Sequence, residues 1–298
     1  MPKVSPQPAL FPPSRSPKRE PLVQPFLKWA GGKRQLLPAL RPLIPPLSKI
    51  KRYYEPFIGG GAVFLDVQPQ TATINDYNAE LINCYTIIRD HPDDLLLEAA
   101  KHPNTSEHFY NVREMDRSPK YALLTPIERA ARLIYLNKTC FNGLFRVNSQ
   151  GQFNVPFGDY KNPAIADPAI IRALSRYLTK ANITFLVGDF ADAVQDAQKG
   201  DFVYFDPPYD PITDPASFTG YTLDGFNRDA QRRLRELCDT LTARSVKFVL
   251  SNSDTPFIRE LYDDERYTIQ DVQARRAISS VGTGRGKIGE VFVLNFTP

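Results

Sequence analysis

A short apolar run in the C-terminal half of the chain ends abruptly at two prolines. Residues 202–205 read Phe-Val-Tyr-Phe and are followed at once by Asp206, Pro207, Pro208 and Tyr209. The apolar run predicts a buried strand, and the prolines end it because they cannot donate to the ladder of a sheet. In open α/β sheets, ligands bind outside the carboxyl ends of strands, so a candidate site is expected at Asp206.

The same kind of apolar run recurs from Pro25 onward and alternates with amphipathic helical patterns. This alternation predicts an α/β fold with crossover helices. One crossover helix is predicted to be capped by Asn227 and to bury Leu234 and Leu241. The expected strands are 53–57, 72–75, 183–187, 202–205, 247–250 and 290–296.

The interval 81–181 interrupts the alternation and is predicted to be a mainly helical insert. Thr125 and Glu128 can form a capping box around Pro126, and an apolar stripe follows them. The expected division is a disordered, basic, proline-rich tail at 1–24, a main domain formed by 25–80 and 182–298, and an inserted subdomain at 81–181.

Composition narrows the class of protein further. Lys and Arg total 37 against 33 Asp and Glu, a small excess that favours a polyanionic partner without requiring one. Cys84, Cys140 and Cys238 are far apart and lack metal-ligand spacing, so we expect reduced packing residues and no metal. No membrane-length apolar run or signal peptide is evident, and a soluble, cytoplasmic protein is expected.

A glycine turn follows the first predicted strand. Gly59, Gly60 and Gly61 permit positive φ and a close approach of the backbone to a ligand at a helix N-terminus. Asp76 ends the next strand, about 20 residues beyond, the position that grips ribose hydroxyls in nucleoside-binding folds. No Gly-Lys-Ser or Gly-Lys-Thr follows the glycines, which argues against a phosphate-binding loop.

The loop at Asp206 suits a planar amine. The exocyclic amino group of adenine is a weak nucleophile because its lone pair is delocalised into the ring. Asp206 and the Pro207 carbonyl can accept its two hydrogens while Tyr209 stacks on the base. A strand-terminating turn with a solvated aspartate is the alternative interpretation.

Two other patterns are weaker. Residues 284–289 match GxGxxG, but they precede a strand instead of opening a helix, so we expect a basic loop able to contact a DNA backbone. The three histidines lie in a polar, helical stretch without a nucleophile motif and are expected at the surface: His91, His102 and His108.

The motifs and their order resemble the Dam-type family of S-adenosylmethionine-dependent DNA adenine N6-methyltransferases. The resemblance runs from about Pro25 to Phe296. It implies a Rossmann-like methyltransferase sheet, mostly parallel with an antiparallel last strand, and makes the insert a target-recognition subdomain. The matching segments are a cofactor motif at 25–33, the glycine loop at 55–61, a recognition hairpin at 136–138, 141–146 and 152–158, the catalytic tetrapeptide at 206–209 and a late basic loop at 275–280.

The resemblance also implies roles for individual residues in the catalytic domain. S-adenosylmethionine is the implied cofactor, S-adenosylhomocysteine is its product, and no metal is implied. Lys33 suits the carboxylate of the cofactor and Asp76 suits its ribose. The implied catalytic residues are Asp206, Pro207, Pro208 and Tyr209, and the implied cofactor-binding residues are Trp29, Lys33, Asp76, Asp206, Phe57, Gly59 and Phe190.

Double-stranded DNA is the implied partner, with adenine in GATC as the target and a nucleoid-associated location in the cytoplasm. The positions that resemble base-reading residues are Leu144, Arg146 and Pro156, and an arginine can donate two hydrogen bonds to guanine. Phe141, which replaces a tyrosine, and Asn142 are expected to fill the gap left by a flipped adenine. The residues expected to position phosphates or neighbouring bases are Lys28, Arg113, Lys138, Asn148, Asn154 and Tyr160.

Other substrates and classes stay open at this point. Adenine in RNA and the glutamine amide of a protein are planar amines that a similar loop serves, and a catalytically dead DNA-binding homologue is a non-enzymatic alternative. Asp159 stands where family relatives can carry a basic residue, which predicts weaker attraction to the DNA backbone there.

Overall fold

The computed structural model describes four segments of the chain, residues 19–29, 31–211, 226–275 and 287–298. Most of the expected tail at 1–24, the loop at 276–280 and the start of the glycine-rich segment at 284–289 lie outside the described residues. In the segments described, no helix is both long and apolar enough to cross a membrane.

The strands of the described segments form one mixed sheet. Its members are β1 (Tyr53–Glu55), β2 (Thr71–Asp76), β3 (Asn182–Val187), β4 (Phe202–Phe205), β5 (Lys247–Ser253), β6 (Thr268–Arg275) and β7 (Lys287–Leu294). The order is β3-β2-β1-β4-β5-β7-β6. The first five strands pair in parallel, whereas β7 runs antiparallel to both β5 and β6. The predicted α/β fold, mostly parallel with an antiparallel last strand, is confirmed.

The strand β6 was missed by the sequence analysis. Its residues from Thr268 to Val272 are all at least partly exposed, so its hydrophobic pattern is weak. Among the described strands it pairs only with β7, at the edge of the sheet, from Thr268↔Leu294 to Arg275↔Lys287. Its conformation is therefore determined by a long-range partner.

Helices flank the sheet and build most of the interval between β2 and β3. Two predicted helix starts are confirmed: Asn227 accepts from the N–H of Ala230, and Thr125 and Glu128 form a capping box. The helices of the described segments are α1 (Leu37–Leu40), α2 (Phe64–Val67), α3 (Ala79–Asp90), α4 (Pro92–Ala99), α5 (Ser106–Glu114), α6 (Pro126–Thr139), α7 (Pro168–Lys180), α8 (Arg228–Ala243) and α9 (Pro256–Leu261).

The main hydrophobic core joins the sheet to much of the helical interval. Leu81 and Ile88 of α3, Ile134 of α6 and Leu174 of α7 are buried in one cluster with Ile74 of β2. A smaller cluster lies within the interval and contains Phe109, Tyr135 and Phe153 among its members. The part of the interval nearest the sheet thus shares the main core, and the boundaries at 81 and 181 stay a prediction.

The strand order reverses between β1 and β4. From β1 the chain moves outward through β2 to β3 and then returns to β4 on the other side of β1. In doubly wound sheets, ligands bind at such a switch point, outside the carboxyl ends of the strands. The glycine loop follows β1, Asp76 ends β2 and Asp206 follows β4, so the fold brings these motifs to one edge.

Candidate active site

Lys33 and Asp206 form an ion pair at the switch point. Lys33 Nζ lies 2.8 Å from Asp206 Oδ1, and only 5% of the lysine side chain and 21% of the aspartate side chain are exposed. Lys33 Nζ also donates to the Gly31 carbonyl at 2.7 Å. Burial raises the pKa of Asp206, and the attraction of Lys33 opposes that rise. The pair joins the N-terminal motif to the tetrapeptide.

The tetrapeptide loop is braced by α8 and β5. Gln231 Nε2 donates to the Pro208 carbonyl at 2.9 Å, and Asn252 Nδ2 donates to Gln231 Oε1 at 3.1 Å. The Asp210 N–H donates to Asn252 Oδ1 at 3.1 Å, and the Asp210 carboxylate accepts from Thr255 Oγ1 at 2.8 Å. Buried, mutually satisfied polar groups of this kind hold a loop in one conformation.

Tyr209 lies between a cation and a carboxylate. Lys33 Nζ lies 4.5 Å from the centroid of its ring, and its hydroxyl donates to Glu290 Oε2 at 2.9 Å. Burial, with Asp206 and Glu290 nearby, raises the pKa of Tyr209 well above its ordinary value, so the hydroxyl keeps its proton. The ring is partly exposed, and a planar group can stack on it.

A second carboxyl group lies buried near the ion pair. Glu55, the last residue of β1, is 2% exposed and accepts from the Tyr53 hydroxyl at 2.5 Å. Burial raises the pKa of Glu55 well above its ordinary value, and Asp206 raises it further. Burial thus favours the neutral form of Glu55, whereas the ammonium of Lys33 favours the charged form of Asp206.

The glycine loop after β1 is packed too closely for side chains. A Cβ atom at Gly61, where φ is +67°, would lie 2.4 Å from the Tyr85 hydroxyl. A Cβ atom at Gly60 would lie 2.9 Å from Trp29 Cβ. Such contacts with Trp29 and Tyr85 exclude larger residues at these two positions.

Asp76 is hydrogen-bonded to the glycine loop. Its carboxylate accepts from the N–H of Gly59 at 3.0 Å and from the N–H of Asn78 at 2.9 Å. Burial raises the pKa of Asp76, and these two donors oppose the rise. The neighbouring Asn75 is buried and donates to the carbonyls of Pro56 and Gly188 at 3.0 Å each, which ties together the loops after β1 and β3.

Three phenylalanine rings form a cluster beside these loops. Phe57 and Phe190 are stacked with centroids 5.3 Å apart. Phe226 packs edge-on against both, at 5.5 Å from Phe57 and 5.8 Å from Phe190. The structure therefore brings together two predicted cofactor-binding residues and adds a third ring to them.

A hairpin lies between α6 and α7, at the position of the predicted recognition hairpin. Val147 pairs with Phe153 in an antiparallel bridge, and Asn148 Oδ1 closes the tip by accepting from the N–H of Gln152 at 3.0 Å. Arg146 is exposed, and its Nε donates to Asn154 Oδ1 at 2.7 Å across the hairpin. In this structure, the amide side chains at 148 and 154 therefore hold the hairpin together.

The remaining predicted base-contacting residues lie on the same hairpin. Phe141 is 49% exposed, and Asn142 has a left-handed conformation with φ of 55°. Pro156 is exposed and accepts from the N–H of Phe141 at 2.8 Å, whereas Leu144 is half-buried. The hairpin thus carries both the residues predicted to recognise bases and the residues predicted to fill the gap left by a flipped adenine.

Three of the predicted phosphate-contacting residues line one basic cavity. The cavity has a volume of about 310 Å³, and its lining includes Lys28, Lys138 and Tyr160. Lys28 Nζ lies 4.0 Å from the centroid of the Tyr160 ring. Burial lowers the pKa of Lys138, and Lys28 lowers it further. Arg113 lies elsewhere, on α5, where it pairs with Glu114 at 3.0 Å.

Two of the histidines are less exposed than expected. His91 is exposed, but His102 and His108 are half-buried, with 2.9 Å between His102 Nδ1 and His108 Nε2. His102 stacks on Tyr135 with centroids 4.8 Å apart. The surface prediction is wrong for this pair because their polar sequence neighbours conceal a contact with an aromatic ring distant in the chain.

The residues that the sequence analysis missed include three in direct contact with predicted members of the site. Gln231 supports the Pro208 carbonyl, Phe226 completes the ring cluster and Glu290 accepts from Tyr209. The one local signal is at Glu290, a lone carboxylate that opens the apolar run 291–294. The other two depend on contacts between distant parts of the chain.

The fold and the site together define an α/β methyltransferase. Residues 29–278 match the family described as D12 class N6 adenine-specific DNA methyltransferase, and the chain belongs to that family. The protein is therefore an adenine-specific DNA methyltransferase, and the predicted enzyme class and family are confirmed.

Three relatives match this chain over almost their whole lengths. A type II methyltransferase of Lactococcus lactis subsp. cremoris is 46% identical over 276 residues, which cover 92% of this chain and 96% of the relative. A type II methyltransferase of Methanocaldococcus jannaschii is 40% identical, with coverage of 92% and 99%. The DNA adenine methylase of Escherichia coli (strain K12) is 36% identical, with coverage of 90% and 94%.

Proposed function

We propose that this enzyme transfers a methyl group from S-adenosylmethionine to N6 of adenine in double-stranded DNA, within GATC, after flipping the base out of the duplex. The observation that carries the proposal is the Lys33–Asp206 ion pair, with Tyr209 against Lys33, at the end of β4. This arrangement offers a carboxylate and an aromatic face to one planar amine.

The residues present fit the proposed cofactor. The loop after β1 carries no side chain at Gly59, Gly60 and Gly61, so its backbone can line a nucleoside closely. Asp76 lies where ribose hydroxyls are gripped in such folds. Phe57 and Phe190 offer an apolar aromatic surface of the kind on which an adenine ring packs.

Under this proposal, the cofactor supplies an electrophilic methyl group on a sulfonium, and the chain supplies binding and orientation. Lys33 suits the cofactor carboxylate and also holds Asp206 in place. Asp206 and the Pro207 carbonyl accept the hydrogens of the target amine, which favours tetrahedral geometry at its nitrogen. Tyr209 stacks on the base, and the braced loop keeps these groups preorganised.

The recognition hairpin supports a duplex DNA substrate over RNA or a protein amide. Its exposed Arg146 and Pro156, with Leu144 beside them, resemble the base-reading positions of Dam-type enzymes, and an arginine in the major groove reads guanine. Phe141, 49% exposed, has the size to brace the gap left by a flipped base. The basic cavity at Lys28 and Lys138 suits a backbone phosphate.

Methyl transfer assays test the proposal directly. Duplexes containing GATC, duplexes changed at its first base, single-stranded RNA of the same sequence and a glutamine-containing peptide are compared as acceptors of radiolabelled methyl groups. We expect transfer to GATC duplexes and a loss of roughly 10-fold or more on the changed duplexes. Equal activity on changed duplexes would remove GATC as the target, and transfer to RNA or peptide alone would overturn the DNA substrate.

A further inference from the structure

Glu290 reaches the catalytic loop from the antiparallel part of the sheet. It lies on β7, with Ser253 of β5 opposite on one side and Val272 of β6 on the other. From there its Oε2 accepts the hydroxyl hydrogen of Tyr209 at 2.9 Å. This contact joins the last strand to the tetrapeptide.

The fold alone gives no reason for a carboxylate at this position. The four residues that follow it on β7, Val291 to Leu294, are all apolar and buried. Glu290 also lies near enough to Asp206 to raise the pKa of Asp206, after the larger effect of burial and against the effect of Lys33. A carboxyl group that raises the pKa of Asp206 works against the Lys33–Asp206 pair, so an apolar residue at position 290 would serve stability better.

The contact restrains the far end of the Tyr209 ring. The ring meets the ammonium of Lys33 on its face, at 4.5 Å, and meets Glu290 at its hydroxyl. A stacking ring needs a defined plane, and a hydrogen bond from its outermost atom to a residue on a strand restricts the side-chain rotations that would tilt it. A hydrogen bond to a charged acceptor is stronger than one between neutral groups.

We propose that Glu290 is a positioning residue that holds Tyr209, through its hydroxyl, in the orientation in which the ring stacks on the target adenine. The inference rests on the proposed function, because the stacked adenine belongs to it. In this role the Glu290 carboxylate aligns the target base and takes no part in cofactor binding.

The test is a double-mutant cycle on methylation of a GATC duplex at saturating cofactor. We expect Glu290→Ala to lower kcat about tenfold, with the Kd for S-adenosylmethionine changed by less than about twofold. Glu290→Gln should retain most activity because its amide oxygen still accepts. In a Tyr209→Phe background, which lacks the hydroxyl, Glu290→Ala should cost little more.

A spectroscopic readout separates ring alignment from a general loss of structure. With 2-aminopurine in place of the target adenine, stacking on Tyr209 quenches fluorescence, and Glu290→Ala should raise the emission of the complex while Glu290→Gln does not. Asp271→Ala is the matched control, since it removes a 73% exposed carboxylate from the adjacent strand, and it should leave kcat unchanged. Thermal unfolding of every variant checks that it is folded.

The outcomes separate the two levels of the proposal. An equal penalty for Glu290→Ala in the wild-type and Tyr209→Phe backgrounds, or a Glu290→Gln variant as impaired as Glu290→Ala, overturns the positioning of Tyr209 by Glu290. A wild-type protein without methyl transfer to duplex DNA overturns the proposed function, and the positioning of Tyr209 with it.

Discussion

The indole of Trp29 stacks on the ring of Phe145, with centroids 5.3 Å apart and planes inclined by 18°. Trp29 also packs against the glycine loop, where a Cβ at Gly59 would come within 3.0 Å of its indole. Phe145 belongs to the hairpin between α6 and α7 and meets Phe153 edge-on at 5.9 Å. One aromatic stack therefore connects the proposed cofactor side of the site to the proposed DNA side.

Replacing Phe145 with alanine should affect both sides at once. Loss of a half-buried ring is expected to lower the free energy of unfolding by about 2 kcal/mol and to free Trp29 from its partner. We expect Phe145→Ala to weaken binding of S-adenosylmethionine and of duplex DNA, whereas Phe145→Tyr keeps the stack and both affinities. Calorimetry and urea unfolding measure these effects, and wild-type affinities for both ligands in Phe145→Ala would refute the coupling.

Asp206→Ala should abolish turnover. The target amine loses an acceptor, and the ammonium of Lys33, 5% exposed, is left without its carboxylate. Such losses cost on the order of 100-fold or more in rate. Asp206→Asn keeps a carbonyl acceptor and should be less impaired. Single-turnover methylation assays measure the rates of both variants. A rate above about a tenth of the wild-type value in Asp206→Ala would contradict the catalytic role of Asp206.

Asp76→Ala should weaken cofactor binding without unfolding the protein. Its carboxylate is the proposed ribose acceptor and already binds the N–H of Gly59, so its removal loosens the glycine loop as well. We expect the Kd for S-adenosylmethionine to rise about tenfold or more by calorimetry. Asp76→Asn retains an oxygen for Gly59 and isolates the effect of the lost charge. An unchanged Kd in a folded Asp76→Ala protein would leave Asp76 as a turn residue.

Arg146→Ala should relax discrimination at the guanine of GATC. In the structure, Arg146 Nε donates to Asn154 Oδ1, and binding of guanine must compete with that contact. Loss of a bidentate contact to guanine costs roughly 1 to 3 kcal/mol. The ratio of kcat/KM between GATC and first-base variants, measured for both proteins, gives the effect. Asn154→Ala is the control for loss of the hairpin contact. If Arg146→Ala leaves the kcat/KM ratio unaltered, Arg146 is not the residue that recognises guanine.

The free energy of unfolding should fall as pH rises, because the pKa of Glu55 is raised in the folded state. Burial raises the folded-state pKa of Glu55 well above the ordinary value of 4.5, so folding binds a proton above that pH. The stabilisation is complete below about pH 4.5 and is lost as pH rises towards the folded-state pKa, by up to about 1.4 kcal/mol per pH unit.

Glu55→Gln removes this titration and retains an oxygen that can accept from Tyr53. Urea unfolding at several values from about pH 5 upward should show wild-type stability decreasing more steeply than that of Glu55→Gln. Parallel slopes for the two proteins would mean that Glu55 is charged in the folded state.

Much of the fold was predictable because its signals are local. The apolar runs that became β1 to β5, the cap at Asn227 and the capping box at Thr125 each depend on a few adjacent residues. The edge strand β6 was not predictable in this way, since its exposed residues carry little pattern and its conformation depends on β7. The half-buried His102 likewise depends on Tyr135.

By itself, the sequence determined the class of fold, the family and the motifs that meet at the site: the tetrapeptide at Asp206, the glycine loop and the carboxylate at Asp76. Tertiary structure alone decided which groups those motifs contact: Lys33 beside Asp206, Glu290 on the Tyr209 hydroxyl and Phe145 on Trp29. The reason is physical. Strand and turn preferences act between neighbouring residues, whereas these contacts join distant segments that meet only after the strand order has brought the carboxyl ends together.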